Sequence, residues 1–262
     1  MIDYRGKTAL VTGGASGIGR ALGQALATRG ATVILADVNE AMLQQTVAEI
    51  GGTCHAVTCD LADPESPARL IEDCQARAGR LDLVCSNAGI GRRGRLMKEM
   101  LLEDSKRLFE VNVFAGLRIT QAYVALLQRT GQRGRLMLTA SENSLSIPNA
   151  VKNGRLGLYA ATKHSLLILG EWMRNELAEE PIDLHMLMPG AVYTPLIARG
   201  LPNPALAPPE LNLIMPERCA EIALQAMDLG LFYVPTQAHL LDDMQPRLQG
   251  VEASLKALGL RT

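Results

Sequence analysis

The sequence lacks any uninterrupted apolar run of the roughly 18 residues that a membrane-spanning helix requires. It also lacks an excess of charge, because 26 lysines and arginines are matched by 27 aspartates and glutamates and the net charge is −1. That balance gives no electrostatic reason to expect a nucleic acid or an anionic membrane as a partner. Asp3, Arg5 and Lys7 interrupt the segment in which a signal peptide needs an apolar core. We therefore expect a cytoplasmic protein that binds neither nucleic acid nor membrane.

The cysteines are few and follow no recognisable pattern. There are five, and no two are arranged as C-x-x-C, which argues against a disulfide framework and a structural zinc site. His55 lies between Cys54 and Cys59, but this segment has the composition of a strand, in which neighbouring side chains point to opposite faces. We therefore expect no metal and interpret the cysteines as buried free thiols.

Short runs rich in Val, Leu and Ile alternate with longer amphipathic stretches along the chain. The short runs show no alternation of polar and apolar residues, which indicates strands buried on both faces, as in a parallel sheet between helices. Strands are expected at 8–11, 32–36, 55–58, 81–85, 135–139, 184–188 and 231–235. Helical segments include 20–29, 40–50, 66–77, 105–128 and 158–179. This rhythm predicts a doubly wound α/β fold of about seven strands, in a single domain over residues 1–262.

One segment departs from this rhythm. Six prolines fall between residues 195 and 216, and they prevent regular helix over much of the span. Long loops inside a compact domain are usually functional, so we expect a mobile lid at about 195–216. The alternative is disorder without a function.

The first expected strand ends in a glycine-rich turn. Gly13, Gly17 and Gly19 let the backbone bend sharply, and the helix that starts near Ile18 would turn its first N–H groups towards a negatively charged group. The spacing matches neither the G-x-G-x-x-G nor the P-loop pattern. Taken alone, the turn is equally compatible with a phosphate site and with an ordinary strand-to-helix connection.

The ends of the next strands also carry polar or small residues, where an open α/β sheet binds its ligands. Asp37 lies 18 positions beyond Gly19, close to the spacing at which a carboxylate reaches an adenosine ribose, and it would repel the 2′-phosphate of NADP. This favours NAD, although Asp37 can also be read as a helix cap. Asp60, followed by Leu61, can meet the adenine amino group. Asn87, Ala88 and Gly89 form a tight turn that allows close approach of a cofactor.

Tyr159 and Lys163 lie four positions apart near the start of an expected helix, so they share one face. A pair of this kind also arises by chance, and it needs support from other residues. That support comes from Ser141, just beyond the fifth expected strand, and from Asn112.

Taken in this order and at these strand ends, the motifs resemble the short-chain dehydrogenase/reductase family over about residues 5–195. They are T-G-G-A-S-G-I-G at 12–19, N-A-G at 87–89, Asn112, Ser141, Y-x-x-x-K at 159–163 and P-G-x-V-x-T at 189–194. The resemblance implies a Rossmann-type sheet and exchange of a hydride between a nicotinamide cofactor and a hydroxyl or carbonyl carbon. It implies cofactor-binding roles for Gly13, Ser16, Gly17, Ile18, Gly19, Asp37, Asp60, Leu61, Asn87, Ala88, Gly89, Tyr159, Lys163, Pro189, Gly190, Val192 and Thr194.

The resemblance also gives the catalytic residues their expected roles. Tyr159 acts as the general base or acid on the substrate oxygen, and Ser141 stabilises the charge that develops there. An ammonium about 4 Å away contributes about 4 kcal/mol, which would bring the pKa of Tyr159 from about 10 towards 7, so Lys163 is expected to lower it. Lys163 also binds the nicotinamide ribose, and Asn112 holds a water that connects Lys163 to solvent.

Three of these residue roles have an alternative interpretation. The segment between Ser141 and Tyr159 is longer than usual in the family, so Ser146 competes with Ser141 for the serine role. Ser141 is preferred because it keeps its place at the strand end. Asn112 can instead cap or kink its helix, and Thr194 can be a turn residue.

The substrate and the assembly are less constrained. The pocket walls are expected at 91–96, 142–158 and 195–216, and the apolar residues of the last segment favour an apolar alcohol or ketone. Arg92, Arg93 and Arg95 leave an acidic substrate open. The resemblance implies a homodimer or homotetramer that pairs helices 105–128 and 158–179 between subunits. Alternative functions are epimerisation or enoyl reduction with NAD, and a non-catalytic nucleotide-sensing role.

Overall fold

Seven parallel strands form one sheet in a computed structural model that describes residues 2–98 and 102–260. In chain order the strands are β1 (Thr8–Thr12), β2 (Thr32–Asp37), β3 (Cys54–Thr58), β4 (Leu83–Ser86), β5 (Gly134–Thr139), β6 (Ile182–Met188) and β7 (Tyr233–Pro235). Their order across the sheet is β3-β2-β1-β4-β5-β6-β7. This confirms the predicted doubly wound, Rossmann-type fold. The expected domain bounds of 1–262 include residues 1, 99–101 and 261–262, which lie outside the described residues.

Helices connect successive strands and cover both faces of the sheet. They are α1 (Gly17–Thr28), α2 (Glu40–Ile50), α3 (Ser66–Ala78), α4 (Leu102–Phe109), α5 (Ala115–Thr130), α6 (Gly157–Glu176), α7 (Pro195–Ala198), α8 (Pro216–Asp228) and α9 (Leu240–Ala257). A π-helical turn at Glu110–Phe114 separates α4 from α5, so the expectation of one continuous helix over 105–128 is wrong there. Neither α8 nor α9 is among the helices expected above.

Alternate residues of each central strand supply two separate cores. In β1, Leu10 packs into the core beneath α3, α5 and α6, whereas Ala9 and Val11 pack into the core beneath α1, α2 and α8. This double burial explains why the strands read as continuous apolar runs. Four of the five cysteines are buried free thiols, and Cys59 is half-buried. Among the described residues, no helix combines the length and the apolar character needed to cross a membrane.

The two halves of the sheet diverge between β1 and β4, which are hydrogen-bonded neighbours. Their following connections leave in opposite directions, and the crevice between them opens at the carboxyl ends of the strands. The glycine-rich turn after β1 and the Asn87 turn after β4 therefore lie side by side.

The proline-rich segment contains short helical turns rather than a featureless loop. Each turn begins with a proline, at Pro195, Pro204 and Pro209, where the missing N–H group costs no helical hydrogen bond. Its far end is fixed, because Ile214 forms a parallel bridge with Val192.

Candidate active site

A tight turn joins β1 to α1. Gly13 and Gly17 have φ angles of +68° and +54°, which residues with a side chain rarely adopt. A Cβ atom on Gly19 would lie 2.1 Å from the carbonyl oxygen of Gly13, and one on Gly13 would lie 2.9 Å from Cα of Ala88. Ser16 caps α1 without a side-chain hydrogen bond to its first N–H groups. The turn therefore requires glycine and offers the N-terminus of α1, Ile18 included, to an anion.

Asp37 ends β2 and faces this turn. One carboxylate oxygen accepts a hydrogen bond from Ala15 N at 3.1 Å, and the other accepts one from Asn39 N at 2.9 Å. The cap of α2 is Asn39, whose side chain accepts a hydrogen bond from Met42 N. Asp37 is thus held beside the glycine-rich turn and is not the helix cap.

Asp60 and Leu61 follow β3 and point in different directions. The exposed carboxylate of Asp60 accepts a hydrogen bond from Ala62 N at 2.9 Å. The side chain of Leu61 is 7% exposed and belongs to the core. Only the backbone of Leu61 is therefore available to a ligand, whereas Asp60 presents its side chain to solvent.

Asn87 joins three strand ends. Its Nδ2 donates to the carbonyl oxygen of Thr12 at 3.1 Å, and its Oδ1 accepts a hydrogen bond from Thr139 Oγ1 at 3.3 Å. The N–H groups of Asn87 and Ala88 both donate to Thr12 Oγ1. These contacts hold the turn at 87–89 against the glycine-rich turn.

Asn112 lies in the π-helical turn and is 2% exposed. Its Oδ1 accepts a hydrogen bond from Ile90 N at 2.8 Å, and its Nδ2 donates to Ile90 O and to Thr162 Oγ1 at 2.9 and 3.0 Å. The side chain therefore clamps the loop after β4 to α6, close to Lys163. The alternative that Asn112 interrupts its helix agrees with this geometry, and its role in holding water stays a prediction.

Ser141 and Tyr159 meet between β5 and α6. Ser141 caps a short 3₁₀ turn at Glu142–Ser144, and its side chain lies close enough to the Tyr159 hydroxyl to favour the charged form of that phenol, which lowers its pKa. The competing Ser146 is also buried, but among the described residues its hydroxyl has no hydrogen-bond partner. The geometry thus favours Ser141 over Ser146 as the serine next to the base.

Lys163 is buried one helical turn beyond Tyr159. It is 3% exposed, and its Nζ donates to the carbonyl oxygen of Thr139 at 2.7 Å. Its Nζ lies 5.9 Å from the centroid of the Tyr159 ring. Burial lowers the pKa of Lys163 to about 8.

The expected lowering of the Tyr159 pKa is contradicted. Burial raises this pKa, the hydrogen bond from Ser141 opposes the rise, and the negative charge of Glu142 adds to it. The physical reason is the direction of Lys163, whose ammonium donates to Thr139 rather than to the phenol. Lys163 by itself therefore does not lower the pKa of Tyr159 towards neutral pH.

The loop after β6 closes the other side of the site. Gly190 N donates to Gln237 Oε1 at 2.8 Å, and a Cβ on Gly190 would lie 2.8 Å from Glu142 Oε2. The methyl group of Thr194 lies 2.9 Å from where a Cβ on Gly17 would be, so Thr194 lies across the glycine-rich turn. Val192 is buried in the core, and its side chain is not available to a ligand.

A network that the sequence did not reveal borders the serine. Glu142, next to Ser141, is buried, and its Oε2 lies 2.9 Å from Nε2 of His239. Asp243 Oδ2 lies 3.9 Å from the same nitrogen, and Asp243 Oδ1 accepts hydrogen bonds from Asn149 N and Nδ2. Burial raises the pKa of Glu142, and the hydrogen bond to His239 opposes this. The network joins the loop after β5 to the start of α9.

No local signal marks this network in the sequence. Glu142 and His239 are 97 positions apart, and α9 was not expected. The one available hint is a carboxylate directly after the candidate serine.

The proline-rich segment contacts the loop after β4. Leu196 Cδ1 lies 2.7 Å from where a Cβ on Gly91 would be, and Tyr193 N donates to Ile214 O at 2.9 Å. Arg92, a candidate for anion recognition, forms an ion pair with Asp104 at 2.9 Å. Leu196 therefore places an apolar side chain against the loop after β4, and Arg92 is already paired.

Comparisons with known proteins agree with this architecture. A family model described as short chain dehydrogenase matches residues 7–203. The chain is 35% identical to 1-deoxy-11-beta-hydroxypentalenate dehydrogenase from Streptomyces exfoliatus, over 87% of this chain and 82% of that protein. It is 33% identical to 2,5-dichloro-2,5-cyclohexadiene-1,4-diol dehydrogenase from Sphingobium indicum, over 82% and 84% of the two chains.

The fold has counterparts among solved structures. A short chain dehydrogenase/reductase from Burkholderia phymatum, solved in complex with NAD, has a TM-score of 0.85 at 24% identity and 97% coverage of both chains. The matched family segment contains the glycine-rich turn, Ser141, Tyr159 and Lys163. With this extent of similarity, the chain belongs to the short-chain dehydrogenase/reductase family.

Proposed function

We propose that the protein is an NAD-dependent oxidoreductase that exchanges a hydride with the carbon of an apolar secondary alcohol or the matching ketone. Family membership already makes it an oxidoreductase that uses a nicotinamide cofactor and acts on a small molecule. The observation that carries the proposal is the hydroxyl pair of Ser141 and Tyr159, with buried Lys163 beside it, at the carboxyl end of β5.

The residues present fit a dinucleotide cofactor. A Cβ on Gly13, Gly17 or Gly19 would collide with neighbouring protein atoms, so only glycine allows the tight turn that directs the N-terminus of α1 towards a pyrophosphate. Asp37 would hold the adenosine ribose, Lys163 the nicotinamide ribose, and the 190–194 backbone the carboxamide. When bound, the cofactor supplies the hydride acceptor or donor.

Tyr159 is proposed to take the hydroxyl proton of an alcohol as hydride leaves the adjacent carbon, and to return a proton in reduction. Ser141 would hydrogen-bond the same substrate oxygen and stabilise its developing charge. Lys163 supplies a positive charge close to the phenolate. Burial and the charge of Glu142 raise the pKa of Tyr159 and so disfavour the phenolate. The positive charge of oxidised nicotinamide would oppose this rise together with the charge of Lys163.

Glu142→Gln is expected to move the pH profile of alcohol oxidation to lower pH. The charge of Glu142 raises the pKa of Tyr159, so its removal lets the phenolate form at lower pH. The measurement is kcat/KM for oxidation against pH, with Glu65→Gln, an exposed carboxylate before α3, as the matched control. A rising limb that stays in place or moves to higher pH contradicts the proposed influence of Glu142.

Asp37 is proposed to select NAD over NADP. Its carboxylate would face the 2′-position of the adenosine ribose, where a phosphate of like charge costs several kcal/mol. We expect kcat/KM with NAD to exceed that with NADP by about 100-fold, and Asp37→Asn to shrink this ratio about tenfold. Asp60→Asn is the control, because the adenine is common to both cofactors and the ratio should not change. A native preference for NADP excludes this role.

The substrate is proposed to be apolar and cyclic. Leu196, which lies against Gly91, exposes 46% of its surface, and Leu206, in the same proline-rich segment, exposes 72%. The relative from Sphingobium indicum is named for a cyclohexadiene diol. Arg92 is paired with Asp104, which weakens the case for an acidic substrate.

The direct test is a panel of linear and cyclic secondary alcohols and ketones, supplied with NAD or NADP and followed by the absorbance of the reduced nicotinamide. We expect turnover of cyclic apolar members with NAD. If no member of the panel is turned over and enoyl or epimerisable substrates are active instead, the proposed reaction is wrong. The homo-oligomer with paired α5 and α6, the mobile lid at 195–216 and the cytoplasmic location stay predictions.

A further inference from the structure

The last helix carries an apolar stripe that the described part of the molecule leaves uncovered. Apolar residues recur at alternating spacings of three and four along α9 and its C-cap: Leu241, Met244, Leu248, Val251, Leu255 and Leu258. Four of these side chains are more than half exposed, with Leu248 at 53% and Leu258 at 73%. This spacing corresponds to the a and d positions of three heptads, the pattern of a helix that pairs with another helix.

Only the first turn of α9 is fixed to the domain. Leu240 and Asp243 are buried, and Asp243 holds Asn149 by two hydrogen bonds. Within the described residues, no hydrogen bond or ion pair joins 244–260 to another element. The 18 residues of α9 extend about 27 Å, so most of the helix projects with its stripe available.

The charges beside the stripe identify its partner. With Leu241 at an a position, Arg247 occupies a g position and Glu252 an e position. In a parallel two-stranded coil, Arg247 would face Glu252 of the partner subunit, and twofold symmetry gives this pair twice. Neither side chain has an ion-pair partner among residues 2–98 and 102–260.

The remaining positions of α9 fit the same arrangement. Pro246 and Gly250, which weaken a helix, occupy f and c positions on the side away from the stripe. The polar positions carry both charge signs, including Asp242 and Lys256, whereas helices that lie on membranes carry mainly basic polar faces.

We propose that α9 is a self-association helix: the α9 helices of two copies of this chain form a parallel, two-stranded coiled coil. The Leu248 and Val251 layers lie at its centre, and Arg247 and Glu252 set its direction and register. This contact is separate from the pairing of α5 and α6 expected above.

Cysteine cross-linking of the full chain tests the contact. Val251→Cys places a thiol at a d position, where equivalent side chains meet across the twofold axis, whereas Gln249→Cys places one at an outward b position. Under mild oxidation we expect Val251→Cys to form a disulfide-linked dimer at least tenfold faster than Gln249→Cys or the native chain. Equal rates for the two variants overturn the proposal.

Charge reversal tests the direction of the helices. In the Val251→Cys background, Arg247→Glu is expected to slow cross-linking about tenfold. The introduced glutamate would face Glu252 of the other copy, and the twofold symmetry gives this repulsive pair on both sides of the coil. Adding Glu252→Arg should restore the rate to within about threefold. A double variant that stays slow excludes the parallel register. All substituted side chains are exposed or half-buried, and circular dichroism checks that each variant is folded.

Discussion

Replacing Tyr159 by phenylalanine is expected to reduce kcat by roughly 10³-fold, the typical contribution of a positioned general acid or base. Phenylalanine keeps the ring but removes the hydroxyl that meets Ser141, so no group remains to take the alcohol proton. The measurement is steady-state oxidation of the best substrate in the panel, with KM determined beside kcat. A loss confined to kcat indicates an interaction made in the transition state rather than in binding.

Tyr233→Phe is the matched control. Its hydroxyl is hydrogen-bonded to Glu171 at the surface, so its loss should leave kcat unchanged. The free energy of unfolding of Tyr159→Phe should stay within about 1 kcal/mol of the native value, because only one hydrogen bond is lost. Full activity in Tyr159→Phe would remove Tyr159 from the reaction.

Replacing Lys163 by methionine is expected to stabilise the protein by about 2 kcal/mol near pH 7 while removing most of its activity. Burial lowers the pKa of Lys163 from 10.5 to about 8, so the charged form costs about 3 kcal/mol in the folded state. Methionine has a similar length and no charge, so this cost is removed. The carbonyl oxygen of Thr139 then loses its hydrogen-bond donor, which reduces the gain in the free energy of unfolding by about 1 kcal/mol.

The gain should depend on pH in a defined direction. Between pH 8 and 10.5 the unfolded chain holds a proton on Lys163 that the folded chain has released, so the stability of the native protein rises with pH there. The advantage of Lys163→Met is therefore complete below pH 8 and disappears above 10.5. Urea unfolding at pH 7 and at pH 10 measures it.

Lys106→Met, at an exposed pair with Glu103, should change stability by less than about 0.5 kcal/mol at either pH. If Lys163→Met is less stable than the native protein at pH 7, burial of the Lys163 charge does not destabilise the folded state as proposed. Stability and activity are expected to move in opposite directions at this residue, as is common for groups held in place for catalysis.

The sheet could be predicted because its signals are local. Burial on both faces makes the centres of β1, β2 and β4 continuous apolar runs, and all seven strands overlap the segments expected from the sequence. The glycine-rich turn is also local, since positive φ angles at Gly13 and Gly17 exclude most other residues. Parallel order then brings the carboxyl ends of the strands to one edge without further information.

The features that escaped prediction depend on contacts between distant segments. The π-helical turn at Glu110–Phe114 leaves no sequence signal of its own, and within it Asn112 bonds the loop after β4 and α6. Glu142 and His239 come together only through the fold. The direction of the Tyr159 pKa depended on where the Lys163 ammonium points, and spacing along a helix does not determine this.

In the proposed reaction a hydride passes between the nicotinamide and a carbinol carbon, while Tyr159 takes or returns the hydroxyl proton. Its most direct test is reduction of the active ketone with NADH that carries deuterium at both C4 positions, followed by mass spectrometry of the product. We expect an alcohol with one deuterium on its carbinol carbon from the native enzyme, at a rate that falls roughly 10³-fold in Tyr159→Phe. An unlabelled carbinol carbon, or equal rates from the two proteins, would contradict it.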